Sequence, residues 1–392
     1  MLRVLIIKPS SLGDIIHALQ VAQSLRAQTD DVEIDWVAAK AFAPLVRACP
    51  VVDHVYEFDR HGSVAAFAKL CSEIRQKKYD WALDMQGLAR SALLLAAARA
   101  TQKARRADCR EGAGLLCPNK PDLPPKGGKA HALDILLQFL PLLGCRAELA
   151  PEPLEFLHAD NPPWPADLAA RAPVVMFPDS RVKKKEWDGF YELTTRLLKD
   201  RPDLTIVWAG SSGPEPELDW PEARFVSLLG RTKIEALPEL IGIARLVICN
   251  DSGPLHLAAA MHQHVIGLFG PTDHERFGPY PLDSPRHTIL RAPNGKLNLL
   301  SPEIVMMSVE AAEVTSMHGP VEKKDGKFVL LIPLKQGGSK FLKSSKGISQ
   351  IEGDNLRIDM QDWLAQKLGI REGSILSVNN RDGKFNIIVI KP

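Results

Sequence analysis

Neither GxGxxG nor CxxC occurs in these 392 residues, and no apolar run approaches 18 residues. Each gap excludes a class. Without three closely spaced glycines at a strand-to-helix turn, the chain is not expected to grip a nicotinamide dinucleotide in the usual way. Six cysteines, Cys49, Cys71, Cys109, Cys117, Cys145 and Cys249, lie far apart with no CxxC, which fits reduced thiols better than a disulfide framework or a zinc site. No metal-ligand set is signalled and no cofactor is expected. The lack of long apolar runs argues against a membrane-spanning helix, and the opening residues show no charged-then-apolar leader pattern. A cytoplasmic chain is expected. A formal charge of +2 argues against a protein that coats nucleic acid.

What is present is a rhythm. Short apolar runs ending in Gly, Asp or Ser alternate with segments of helical period, the pattern of βαβ units and a mostly parallel sheet. One set of strands reads RVLIIK, VEIDWVAA, HVYEF and WALDMQG, and a second reads PVVMFP, LTIVWAG, RFVSLLG, LVICND and HVIGLFG. Between them the proline-dense ADNPPWPADLAARAP marks a boundary. We expect an α/β chain with two Rossmann-like doubly wound domains, 1–160 and 172–318, facing a cleft. The last segment, 319–392, changes character: it carries thirteen Lys and Arg against eight Asp and Glu, and reads as a small basic β-rich module.

Ligands of doubly wound sheets sit outside the carboxyl ends of the strands, so strand exits are the places to look for chemistry. KPSSLGDIIHALQ, residues 8–20, puts Lys8, Ser10, Ser11, Gly13 and Asp14 at the first such exit. Asp14 falls in the first helical turn, where the helix dipole favours an ionised carboxylate. NDSGPLHLAAA, residues 250–260, offers Asp251 and Ser252 as caps, Gly253 for close backbone approach and Pro254 at the first helical position. A helix start of this kind suits a diphosphate, and His256 stays within its first turn. FPDSRVKKKEW, residues 177–187, adds cations at another strand exit, of which Lys185 is the expected phosphate partner.

KPSSLGDIIHALQ, LDMQGLARSALL, KKEW, NDSGPLHLAAA and FGPTD together resemble glycosyltransferase family 9, the ADP-heptose:lipopolysaccharide heptosyltransferases, over roughly residues 1–315. The resemblance implies a GT-B architecture with acceptor on the N-terminal domain and ADP-heptose on the C-terminal one. It implies metal-independent, inverting transfer to an inner-core sugar of lipopolysaccharide, Kdo or heptose. By similarity, Asp14 is the general base, with Lys8, Ser10, Ser11, Gly13, Arg60, Gln86 and His131 on the acceptor side. Lys185, Glu217, Asp251, Ser252, Gly253, Pro254 and His256 fall on the donor side, with Lys185 also catalytic. A lipid-anchored acceptor implies peripheral work on the cytoplasmic face of the inner membrane. In place of the arginine cluster that close relatives carry after the third strand, this chain shows only Arg60 and His61 in FDRHGS.

Two alternatives keep the same cleft. One is a family 9 transferase with another nucleotide sugar or glycan acceptor; the other is a non-catalytic nucleotide-sugar sensor. The tail resembles AbrB-like swapped hairpins, implying a homodimer or an anionic partner, against the plainer reading of a packing module.

Overall fold

The computed structural model describes residues 1–211, 220–221 and 223–314, and beyond them six strands. Two compact units result, Met1–Pro302 and Glu303–Pro392.

The first sheet is built from β1 (Leu2–Ile7), β2 (Val32–Ala39), β3 (His54–Phe58), β4 (Lys78–Asp84) and β5 (Arg99–Arg105) in the order β3-β2-β1-β4-β5, all parallel. Helices α1 (Leu12–Ala27), α2 (Ala43–Arg47), α3 (Val64–Gln76) and α4 (Ala89–Ala97) connect the strands, and α5 (Ala132–Leu137) follows. β1 is central, and Val4, Leu5, Ile6 and Ile7 are all buried because helices cover both faces. Each such side chain contributes about 1.5–3 kcal/mol of burial. That is why β1 reads as an unbroken apolar run rather than an alternating one.

The second sheet contains β6 (Val174–Phe177), β7 (Ile206–Gly210), β8 (Phe225–Leu229), β9 (Leu246–Asn250), β10 (Val265–Phe269) and β11 (His287–Arg291), also parallel, in the order β8-β7-β6-β9-β10-β11. Counted from β6 this is the 3-2-1-4-5-6 order of dinucleotide-binding sheets. Its helices are α6 (Phe190–Asp200), α7 (Leu237–Gly242), α8 (Gly253–Ala260) and α9 (His274–Phe277); α10 (Pro302–Val314) opens the second unit.

Both sheets therefore reverse their winding once, between β1 and β4 in the first and between β6 and β9 in the second. The crevices at these switch points are where such sheets receive ligands.

β5 and β11 are strands that the sequence pattern did not single out, and β4 ends at Asp84, so Met85, Gln86 and Gly87 form a loop rather than a strand end. In the second unit β12 (Gly319–Lys324), β13 (Lys327–Pro333), β14 (Ser349–Glu352), β15 (Asn355–Met360), β16 (Ile375–Arg381) and β17 (Lys384–Lys391) make an antiparallel sheet ordered β14-β15-β13-β12-β16-β17. Residues 361–374, between β15 and β16, where the sequence QDWLAQKLGI reads as a short helix, lie outside the described residues.

Candidate functional site

α1 begins immediately after β1, with Ser11 as its N-cap and Asp14 at the third helical position. One carboxylate oxygen, Oδ2, accepts from the Ser11 amide at 3.2 Å and from the Ser11 hydroxyl at 2.6 Å. The other, Oδ1, accepts from Lys8 Nζ at 3.3 Å. A carboxylate has about four lone-pair directions, so Oδ1 retains capacity for one more donor. Asp14 keeps 39% of its side chain exposed while Lys8 is only 1% exposed, so the lysine supports the carboxylate from beneath. Burial pushes the Asp14 carboxyl up, but Lys8, the Ser11 hydroxyl and His17 together outweigh it and hold it below the ordinary carboxylate range. Burial lowers the Lys8 ammonium, with Asp14 opposing.

α8 starts in the same manner after β9, with Ser252 as N-cap, Gly253 first and Pro254 second. Pro254 was expected one place earlier; Gly253 takes that position because it must approach α1. A Cβ on Gly253 would stand 2.4 Å from Leu12, and a Cβ on Gly13 would stand 2.4 Å from His256. The two helix starts thus cross at a pair of glycines, one from each sheet. Ser252 turns its hydroxyl to the Asn250 carbonyl, 3.2 Å away, and makes no side-chain cap. Across the second switch point Lys185 Nζ meets Asp251 Oδ2 at 2.6 Å. Asn250 steadies this corner by accepting from the Trp187 amide and donating to the Pro178 carbonyl.

These groups line one cavity of about 230 Å³: Ser11, Gly13 and Asp14 from α1, and Lys185, Asp251 to Gly253 and His256 from the other sheet. His17, Ala132, Thr272 and Phe277 complete it. His17 was not among the residues singled out in the sequence; it reads there as one more residue of an apolar helix. Its ring lies 4.6 Å from that of His256 and 5.4 Å from that of His131. His17 Nε2 and His256 Nδ1 are buried with no hydrogen-bond partner among the described residues. Burial drives His17 well below its ordinary value and His256 down to about 4, so both rings are neutral at pH 7.

His131 caps α5, its Nδ1 accepting from the Leu133 amide at 3.1 Å, which leaves Nε2 to donate to the Gly278 carbonyl at 3.0 Å. Both nitrogens are occupied, and the second bond ties the first sheet's side of the cavity to the second's.

A neighbouring cavity of about 300 Å³ opens beside the first sheet, lined by Ser10, Gln86, Arg60 and His61. It also contains Arg90 and Glu111, which the sequence reading passed over. Arg90 Nη1 donates to the Arg60 carbonyl at 2.8 Å, so a second guanidinium, thirty residues downstream, stands beside Arg60 where only His61 had been noticed. Gln86 Oε1 accepts from the Ser10 amide at 3.3 Å, joining the two exits at the first switch point. The loop is shaped by buried Asp84, which takes the Gln86 and Gly87 amides and the Ser91 hydroxyl, and by a left-handed Gly87. Glu217 lies outside the described residues.

Two parallel-sheet Rossmann-like domains with their switch points on a shared cavity define a GT-B glycosyltransferase fold. E. coli heptosyltransferase WaaC with ADP superposes with a TM-score of 0.66 at 24% identity, over 79% of this chain and 99% of that one. E. coli ADP-heptose lps heptosyltransferase II gives 0.61 at 21% identity, over 80% and 99%. The model of glycosyltransferase family 9 (heptosyltransferase) matches residues 67–301, and the chain belongs to that family. It is an enzyme of the transferase class. Lipopolysaccharide core heptosyltransferase OpsX of Haemophilus influenzae is 25% identical over 291 residues, 70% of this chain and 81% of its own. Lipopolysaccharide heptosyltransferase 1 of Pseudomonas aeruginosa is 27% identical over 301 residues, 71% and 81%.

Proposed function

We propose that the chain transfers heptose from ADP-heptose to an inner-core sugar of lipopolysaccharide, Kdo or heptose, by a single inverting displacement that needs no metal. The donor and the lipopolysaccharide acceptor come from the named relatives. The observation that carries the mechanism is the placement of Asp14 in one cavity with Lys185 and the α8 start, contributed by opposite domains. In this reading residues 1–160 hold the acceptor, 172–318 the donor, and 319–392 form a separate module.

As the acceptor oxygen attacks the anomeric carbon, the bond to ADP breaks, positive charge grows on the sugar and negative charge on the departing diphosphate. Lys185 and the dipole of α8 stabilise the diphosphate in place of a metal. Asp251 first holds Lys185 and, once the lysine turns to phosphate, is left at the sugar. Asp14 Oδ1 takes the hydroxyl proton. Its low pKa makes it a weak base towards a free alcohol, so transfer comes late, when the forming bond has acidified the hydroxyl. Lys8, nearly inaccessible, acts through Asp14 by fixing its charge and position. Ser10, Gln86, Arg60 and Arg90 bind the anionic acceptor sugar, and His131 braces the cavity. Retention would need a carboxylate nucleophile at the anomeric carbon; in this reading Asp251 lies at the sugar without attacking it, and the anomeric configuration of the product decides between the two.

The test is a donor panel with deacylated core acceptors, following release of each nucleotide and the anomeric configuration of the product. Turnover with ADP-heptose and an inverted linkage is expected. Preference for another nucleotide sugar, or tight binding without transfer, would sink the reading.

A further inference from the structure

In the 230 Å³ cavity Asp14, Lys185 and Asp251 have assigned roles, and His17 has none. It stands three residues beyond Asp14 on α1, which puts the two side chains on one face of the helix, and its ring forms part of the cavity wall. The residue is 4% exposed, and Nε2 is buried without a hydrogen-bond partner among the described residues. His256 faces it from α8 at 4.6 Å between ring centroids, is 8% exposed, and has an unpartnered Nδ1. Five buried side-chain nitrogen or oxygen atoms lack a partner among the described residues, and two of the five meet here, on the reaction cavity.

Buried polar groups are nearly always hydrogen-bonded, so two orphans side by side call for a cause. Packing does not supply one. A position that needed only volume inside an apolar helix would be filled by leucine without stranding a nitrogen. Nor do the three rings form a ligand set for a cation: His131 has both nitrogens engaged, and no cluster of His, Cys, Asp or Glu among the described residues is arranged to hold a metal ion.

The chemistry of the ring narrows the partner. Burial keeps His17 neutral at pH 7, and a neutral imidazole offers one donor and one acceptor. Phosphate oxygens only accept, and Lys185 with the α8 amides serves them better; a hydroxyl both donates and accepts, as the imidazole does. With the diphosphate at Lys185 and the reacting carbon beside Asp14, the hydroxyl-bearing group between them is the sugar in transit.

We propose that His17 is a specificity-determining residue for the transferred sugar, holding one of its hydroxyls through a ring nitrogen. The inference rests on the reading of this cavity as the place where the donor sugar meets Asp14. His256 backs the ring from the opposite domain.

The test uses four full-length chains: wild type, His17→Phe, His17→Leu and His17→Gln. Phenylalanine keeps a ring of similar size without nitrogen, leucine is a smaller apolar replacement, and glutamine restores a donor and an acceptor. Affinities for ADP and for ADP-heptose are measured by calorimetry without acceptor, and kcat and KM are measured with it. The two apolar variants should bind ADP within about two-fold of wild type, but should lose ~10–100-fold in affinity for ADP-heptose and in kcat/KM, the effect of leaving a sugar hydroxyl unpaired in a closed site. His17→Gln should recover most of that loss. Equal losses for ADP and ADP-heptose would show a structural effect, and a lower kcat at unchanged ADP-heptose affinity would show that His17 acts through Asp14. Either result overturns the proposal, as do apolar variants equal to wild type. If the donor panel selects another nucleotide sugar, the function proposed above falls, and the same comparison run with that compound and its nucleotide decides the role of His17.

Discussion

Lys8 Nζ lies 3.3 Å from Asp14 Oδ1, and the lysine has almost no contact with solvent. A buried ammonium is tolerated because a carboxylate faces it; removal of one partner strands the other. Asp14 is therefore structural in its own right, since it pairs a buried ammonium, which a simple helix cap would not require.

The pair should behave as a unit in denaturation. Asp14→Asn preserves an acceptor for Ser11 but leaves Lys8 unpaired, and should lower stability by about 1–3 kcal/mol. Adding Lys8→Met removes the stranded charge at similar volume and should recover part of that loss. Denaturant midpoints of the four chains in the double-mutant cycle check this; strictly additive effects would show that the two side chains do not depend on each other.

Gly13 and Gly253 are required by the close passage of α1 and α8. Alanine is the better helix former by about 1 kcal/mol, yet each added methyl would press on His256 or Leu12 at 2.4 Å. Gly13→Ala and Gly253→Ala should each destabilise by roughly 1–3 kcal/mol, as overpacking does, and should slow transfer by widening the cavity. Thermal midpoints equal to or above wild type would contradict the crossing.

Acid should weaken the fold in a defined window. His17, His131 and His256 are all held below 6.5 by burial, His256 at about 4. The unfolded chain then binds more protons than the native one, so stability rises with pH between about 4 and 6.5 and falls as pH drops through that range. Asp14, also shifted down but from a lower starting value, loses its contribution only as pH falls through 3.8 and below. Thermal midpoints measured from pH 7 to 4.5 should fall for wild type and fall less steeply for His17→Gln. Parallel curves would assign the acid sensitivity elsewhere.

Lys185→Ala should weaken ADP binding and slow transfer together, each by ~10–100-fold, the weight of a charge-assisted hydrogen bond to phosphate. Calorimetric titration with ADP and steady-state rates check it. Unchanged affinity would shift the phosphate contact to Lys183 or Lys184.

Strands buried on both faces were legible in the sequence because burial leaves continuous apolar runs: LRVLII and LVICN announce β1 and β9. Two of the four edge strands of the parallel sheets were not. β5, RATQKAR, carries three cations, and β11, HTILR, is half-buried; neither has a core face that would impose a pattern. Asp14, Lys185 and Asp251 could be named because each follows such a run, but the strand orders that bring them together depend on pairing between distant residues. Arg90 and His17 were missed for a related reason. Arg90 reads as an ordinary first-turn helical residue until the Arg60 carbonyl is placed beside it, and His17 reads as core until its neighbours prove to be two further histidines.

The most direct measurement is single-turnover transfer by Asp14→Asn, at a temperature where the variant is fully folded, alongside its affinity for ADP. Nucleotide affinity should remain within about two-fold of wild type, while the transfer rate falls by ~10²–10⁴-fold, the contribution expected of a general base. A rate within a few-fold of wild type would contradict the assignment of Asp14 as the group that takes the acceptor's proton.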